Sequence, residues 1–237
     1  MTKPANPSPM RGFRHLDTIT ALFVTVLLIS NVASTKIVDF GFFTFDGGTL
    51  LFPLSYIFGD VLTEVYGYAR SRKVIWTGFV AALVMAVTFM VVGGLPAAPE
   101  WTYQEAYDQI LGLTPRIVMA SLIAYVVGSF SNSFILAKLK VVTQGQKLWM
   151  RTISSTLVGQ VLDTGLFIAI AFWGLFPPGL MVTLIVSNYI FKCGVEILFT
   201  PITYWLTSWL KRQENEDFYD RSTNFNPFHL LSHPASR

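Results

Sequence analysis

The sequence predicts an all-α membrane protein, a bundle of about six transmembrane helices. Three observations predict it. Charged residues make up only 13% of the 237, while hydrophobic ones make up 52%. A soluble domain carries about 25% charged residues, because its helices need a water-facing side. Apolar runs near the ~20 residues that a hydrocarbon core demands recur along the chain. Basic residues, finally, collect in alternate connections between those runs.

The first span covers 16–38, after the Pro-rich polar segment MTKPANPSPMRGFRHLDT. No small-residue cleavage site follows it, so it reads as a span and not as a removed signal. The second, 49–66, carries Asp60 and Glu64. The third, 74–95, is free of charge. The fourth, 115–137, opens on Pro115, a residue suited to a first helical turn. The fifth covers 153–175. The sixth covers 180–210, longer than a ~30 Å core requires at about 1.5 Å per residue, and Pro201 is expected to kink or divide it. Between spans, 39–48 (DFGFFTFDGG) reads as a short aromatic loop with a small hairpin. The longest connection, 96–114, holds Trp101, Tyr103 and Tyr107. The tail from residue 211 reads as an exposed, partly disordered terminus.

With the N-terminus inside, 14 of the 17 Lys and Arg residues fall on the cytoplasmic side. Only Lys36 and Arg116 fall outside, and Lys192 lies within the sixth span. That asymmetry is the orientation signal of an inner-membrane protein with both termini cytoplasmic. It also accounts for the net charge of +3, so no nucleic-acid partner is called for. The lone Cys193 excludes an intrachain disulfide. His15, His229 and His233 lie near the ends, and no metal-ligand spacing or cofactor motif occurs. H-E-x-x-H, G-x-S-x-G and P-loop patterns are absent, which argues against an enzyme.

The informative residues are those that lipid should exclude. They are Asp60, Glu64, Asp163, Lys192 and Glu196, accompanied by Asn132, Gln160 and Asn188. Asp60 and Glu64 are four apart, so a regular helix presents them on one face. Asp163 follows Gln160 by three, and Asn188, Lys192 and Glu196 form one stripe. Four acids against one lysine leave a buried excess of negative charge. Protonation, a cationic or donor-rich ligand, or Arg151 reaching in from the inner end would balance it. Plainer roles exist for several. Lys192 can neutralise Glu196 or Asp163, Glu64 can pair with Arg70 or Arg72, and Asn132 and Asn188 can join helices by hydrogen bonds. Phe58, Phe130, Phe134, Phe167 and Tyr189 are candidate stacking faces.

The stretch Phe52-Pro53-Leu54-Ser55-Tyr56, with Gly59-Asp60-Val61-Leu62-Thr63-Glu64-Val65-Tyr66-Gly67, resembles the signature of the queuosine precursor transporter family. So do Ser131-Asn132, the run Arg151 to Thr156 with Gly159-Gln160 and Asp163-Thr164, and Asn188-Tyr189 with Lys192 and Glu196. The resemblance covers roughly 16–210. It implies uptake of 7-cyano-7-deazaguanine and its 7-aminomethyl relative. The plan it implies is similar to the six-helix substrate-binding subunits of energy-coupling-factor transporters. The substrate-binding set it implies is Asp60, Glu64, Asn132, Gln160, Asp163, Phe167, Tyr189, Lys192 and Glu196. Cargo and membrane lipid are the partners expected, and a homodimer suits so small a bundle. The alternative reading is a binding subunit that needs a separate ATP-driven module.

Overall fold

A computed structural model describes residues 13–33, 35–39, 44–112, 115–174, 177–221 and 223–229. Among them, five helices are long and apolar enough to cross a membrane. These are α1 (Leu16–Ala33), α3 (Tyr68–Gly93), α5 (Pro115–Val142), α6 (Leu148–Phe172) and α7 (Pro178–Glu214). The expected second span is different. It is the helix α2 (Phe52–Val61), ten residues long, continued by a five-residue π-helical turn, Leu62–Tyr66. At about 1.5 Å per residue this reaches roughly 22 Å, short of a full crossing. Gly67, at φ 84°, then ends the segment in a conformation that L side chains resist, and α3 begins.

The bundle is inverted relative to a soluble protein. Val80, Val84, Val91, Ile190 and Leu198 are exposed, whereas Asp60, Glu64, Arg72, Lys140, Arg151, Gln160 and Glu196 are at most 2% exposed. Apolar side chains facing outward and polar ones inward is the pattern that lipid imposes. Helices α5 and α6 meet along a seam of small residues. A Cβ placed on Gly128 would lie 2.8 Å from the Asp163 Cβ, and one on Gly159 would lie 3.1 Å from the Asn132 Cβ. The two glycines let the backbones approach and bring Asn132 and Asp163 across the same seam.

Several boundaries differ from expectation. The first helix ends at Ala33. The hairpin follows it, with β1 (Ile37–Asp39) antiparallel to β2 (Thr44–Asp46) and Val38 opposite Phe45. Its tip, 40–43, lies outside the described residues. The long connection contains a short helix, α4 (Gln104–Ile110), tied to α3 where Gln104 donates to the Gly93 carbonyl at 3.0 Å. Pro201 does not divide the last helix, which runs on for 37 residues to Glu214.

The largest correction concerns the tail. Residues 215–221 and 223–229 fold back across the end of the bundle where the basic residues gather, and 222 and 230–237 lie outside the described residues. Asp220 caps α3 by accepting from the Tyr68 amide at 3.0 and 3.2 Å. Arg72 donates to the carbonyls of Asn224 and Asn226, and the Trp76 indole donates to that of Pro227. Phe225 packs against Tyr68 and Phe134, with ring centroids 5.0 and 5.1 Å apart. A polar composition concealed this strap because its few aromatics are enough to anchor it. At the same end, the Arg14 and His15 amides donate to the Glu214 carboxylate. The described start of the chain therefore meets the end of α7.

Candidate substrate site

The buried polar residues fall into three layers, stepping away from the basic end. The first is centred on Glu64, in the π turn. Its carboxylate accepts from Arg151 Nη1 at 2.6 Å, Arg151 Nη2 at 3.1 Å and Lys211 Nζ at 2.7 Å. Lys140 Nζ lies 3.5 Å from the same carboxylate and donates to the Glu64 backbone carbonyl at 2.5 Å. Asp217, in the strap, accepts from Lys140 at 2.5 Å and lies 2.9 Å from Lys211. Three cations thus surround two carboxylates. The plain alternative for Glu64, a pair with Arg70 or Arg72, is replaced by these partners, since Arg70 turns to the Tyr66 carbonyl and Arg72 to the strap.

The second layer holds Asp60 on α2, Asn132 on α5, Gln160 on α6 and Glu196 on α7. Asn132 Nδ2 donates to Asp60 Oδ1 at 2.7 Å, and Thr156 Oγ1 reaches Asn132 Oδ1 at 3.5 Å. Glu196 stands within electrostatic range of both Asp60 and Tyr56, and Tyr56 stands beside Gln160. This layer is incompletely satisfied. Asp60 Oδ2 and both Glu196 carboxyl oxygens are buried with no hydrogen-bond partner among the described residues. Each such group costs about 1–3 kcal/mol or more in an apolar interior, so a cluster of them at one depth calls for a ligand.

The third layer, one helical turn farther out, is the pair Asp163–Lys192. Lys192 Nζ donates to Asp163 Oδ2 at 2.9 Å and lies 3.5 Å from Thr164 Oγ1. Of the two neutralisation partners open to Lys192 in the sequence, the structure chooses Asp163. Glu196 is left without a cation in contact among the described residues.

The aromatic candidates scatter. Phe134 packs against Phe225 and Phe130 against Trp76. Phe167 lies one turn of α6 beyond Asp163, and Tyr189 sits on α7 beside Cys193; both are half-buried. Tyr56 was not a predicted site residue, although its position four before Asp60 places it on the same helical face. Lys140, Lys211 and Asp217 also lay outside the predicted set.

A family model described as "Putative vitamin uptake transporter" matches residues 46–206, a stretch that holds the second and third layers and all of the first but Lys211 and Asp217. The "Probable queuosine precursor transporter" of Bacillus subtilis (strain 168) is 30% identical over 186 residues, 77% of this chain and 79% of that protein. The chain belongs to the queuosine precursor transporter family. The "Queuosine precursor transporter" of Escherichia coli (strain K12) is 25% identical over 81% of this chain and 86% of its own length. A "Probable queuosine precursor transporter" of Haemophilus influenzae is 29% identical over 69% of this chain and 68% of its own. No solved structure matches the chain. Family membership makes this a transporter and not an enzyme, and none of these relatives is named as a binding subunit of an ATP-driven machine.

Proposed function

We propose that the protein is a bacterial inner-membrane uptake transporter for queuosine precursors, 7-cyano-7-deazaguanine and its 7-aminomethyl relative. It works by alternating access through the second polar layer. The observation that carries the reading is Glu196, a fully buried carboxyl group with neither oxygen hydrogen-bonded among the described residues, beside the equally unpartnered Asp60 Oδ2. A deazaguanine presents N–H and amino donors along one edge and a carbonyl beside them. Carboxyl groups accept the donors and an amide N–H meets the carbonyl. Tyr56 offers a ring beside the same groups. The basic end faces the cytoplasm by the charge rule, so cargo enters from the opposite side and leaves past Glu64.

The test is uptake of radiolabelled 7-aminomethyl-7-deazaguanine by proteoliposomes, with the wild type and Glu196→Gln. Saturable uptake that unlabelled 7-cyano-7-deazaguanine inhibits is expected. Glu196→Gln should lower it about tenfold or more, the effect of losing one charged hydrogen bond. Its melting temperature should hold or rise, because Glu196 has no protein partner to lose. Equal competition by guanine, or unchanged uptake in the variant, would remove the assignment.

A further inference from the structure

The strap does more than cover the basic end, because it supplies part of the charge balance there. Lys140 Nζ has three acceptors: the Glu64 carbonyl, Asp217 Oδ1 and the Phe218 carbonyl at 2.7 Å. Two of the three belong to the strap. Lys211 shares Asp217 with it. Without the strap, one carboxylate, Glu64, would face Arg151, Lys140 and Lys211, which stand on three different helices, α6, α5 and α7. Like charges this close repel strongly where water is scarce. The described strap residues carry no helix or strand of their own and lie over the helix ends. Asp217 is 43% exposed. It is held by ion pairs to Lys140 and Lys211, and Asp220 and Phe225 dock on the start of α3 and on Phe134, which is 40% exposed at the rim.

We propose that residues 215–221 and 223–229 form a cytoplasmic latch on the exit path. Docked, the strap lets α5, α6 and α7 converge on Glu64 and closes the bundle beneath the cargo layer. Lifted, it leaves three cations on one carboxylate, and their repulsion parts the three helix ends. The latch thereby couples a polar segment outside the membrane to opening of the site inside it. The proposal rests on the transport reading above for its consequence, but its geometry can be tested without cargo.

Two measurements on the full chain test it, both in a Cys193→Ser background. In the first, Phe134→Cys and Phe225→Cys are joined by a short bifunctional thiol reagent that reduction cleaves. Linked protein should bind 7-aminomethyl-7-deazaguanine within about twofold of the unlinked protein yet transport it about tenfold more slowly, as expected where a moving segment sets turnover, and cleavage should restore transport. Linked protein that transports at the unlinked rate overturns the latch. In the second, Ser155→Cys, buried on α6 one turn above Arg151, is exposed to a membrane-impermeant maleimide from the strap side. Adding Asp217→Lys should raise its labelling several-fold, and unchanged labelling overturns the proposal. If linked and cleaved proteins alike fail to transport, the transport reading falls, and the labelling result alone decides the latch.

Discussion

Arg151 grips Glu64 through two hydrogen bonds, 2.6 Å from Nη1 to Oε2 and 3.1 Å from Nη2 to Oε1, with both side chains 1% exposed. A forked guanidinium on a carboxylate is the strongest ion-pair geometry available to side chains. Here it ties α6 to the π turn that follows α2. Removing one partner of a buried pair typically costs about 3–5 kcal/mol, because the other charge is stranded. The two partners are not equivalent in this cluster. Glu64→Gln strands Arg151 and takes one of two carboxylates from each of Lys211 and Lys140. Arg151→Met leaves Glu64 with both lysines. Glu64→Gln should therefore lower the melting temperature in detergent more than Arg151→Met does. The double variant should lose less than the sum of the two. Equal losses, or strict additivity, would mean that the three cations do not share one carboxylate.

The same pair shows where sequence reading stops. Spacing placed Asp60 and Glu64 on one helical face, and the inference would hold for an unbroken α-helix. The π turn at Leu62–Tyr66 widens the winding between them. Asp60 goes to Asn132 and Glu64 to Arg151, and one expected acidic pocket becomes two layers of different character. A π turn depends on what packs around it and leaves no signal in periodicity. Long apolar runs were legible because lipid imposes length and composition directly. Charge asymmetry was legible for a similar reason, and the structure gathers Arg72, Lys140, Arg151 and Lys211 at one end. What asymmetry cannot say is that Lys140, Arg151 and Lys211 turn inward to one carboxylate, since that depends on helix rotation. Orphaned atoms such as those of Glu196 are likewise invisible in a sequence, which names a polar residue without its partners.

Asp163 and Lys192 illustrate a choice that the sequence left open and geometry narrows. Their 2.9 Å contact, with the side chains 19% and 10% exposed, makes a partly buried pair beside the second polar layer. If Asp163 chiefly neutralises Lys192, then Lys192→Met alone should reduce uptake more than Asp163→Asn and Lys192→Met together. The single variant leaves an uncompensated carboxylate, and the double variant leaves none. Recovery to within about threefold of wild type is expected for the double variant, a coupling in the range usual for contacting residues. A double variant as inactive as the worse single one would instead make Asp163 a direct ligand. Initial rates in proteoliposomes separate the two outcomes.

Asp217 gives the strap a pH response whose sign follows from its surroundings. Burial pushes its carboxyl up, but hydrogen bonds from Lys140 and Lys211 outweigh that and hold it below the ordinary value of 3.8. A carboxyl group held low in the folded state stabilises above its unfolded pKa, and the contribution is lost as pH falls through the lowered value. The docked strap should therefore keep this contribution from neutral pH down to about 5 and lose it only below about 4. Asp220 opposes it. Burial raises its carboxyl despite hydrogen bonds from Thr223 and the Tyr68 amide, so its ionisation disfavours docking as pH climbs through the carboxylate range. Fluorine NMR of a trifluoromethyl label at position 228, where Phe228 now packs against Trp76 at 5.9 Å, reports docking directly. In the wild type, an undocked signal should grow below about pH 4 and should grow further with salt, since Asp217 is 43% exposed and its ion pairs are screened. With Asp217→Asn the acid-side loss should vanish, leaving only the opposite slope of Asp220. The same acid response in both proteins would show that Asp217 does not hold the strap.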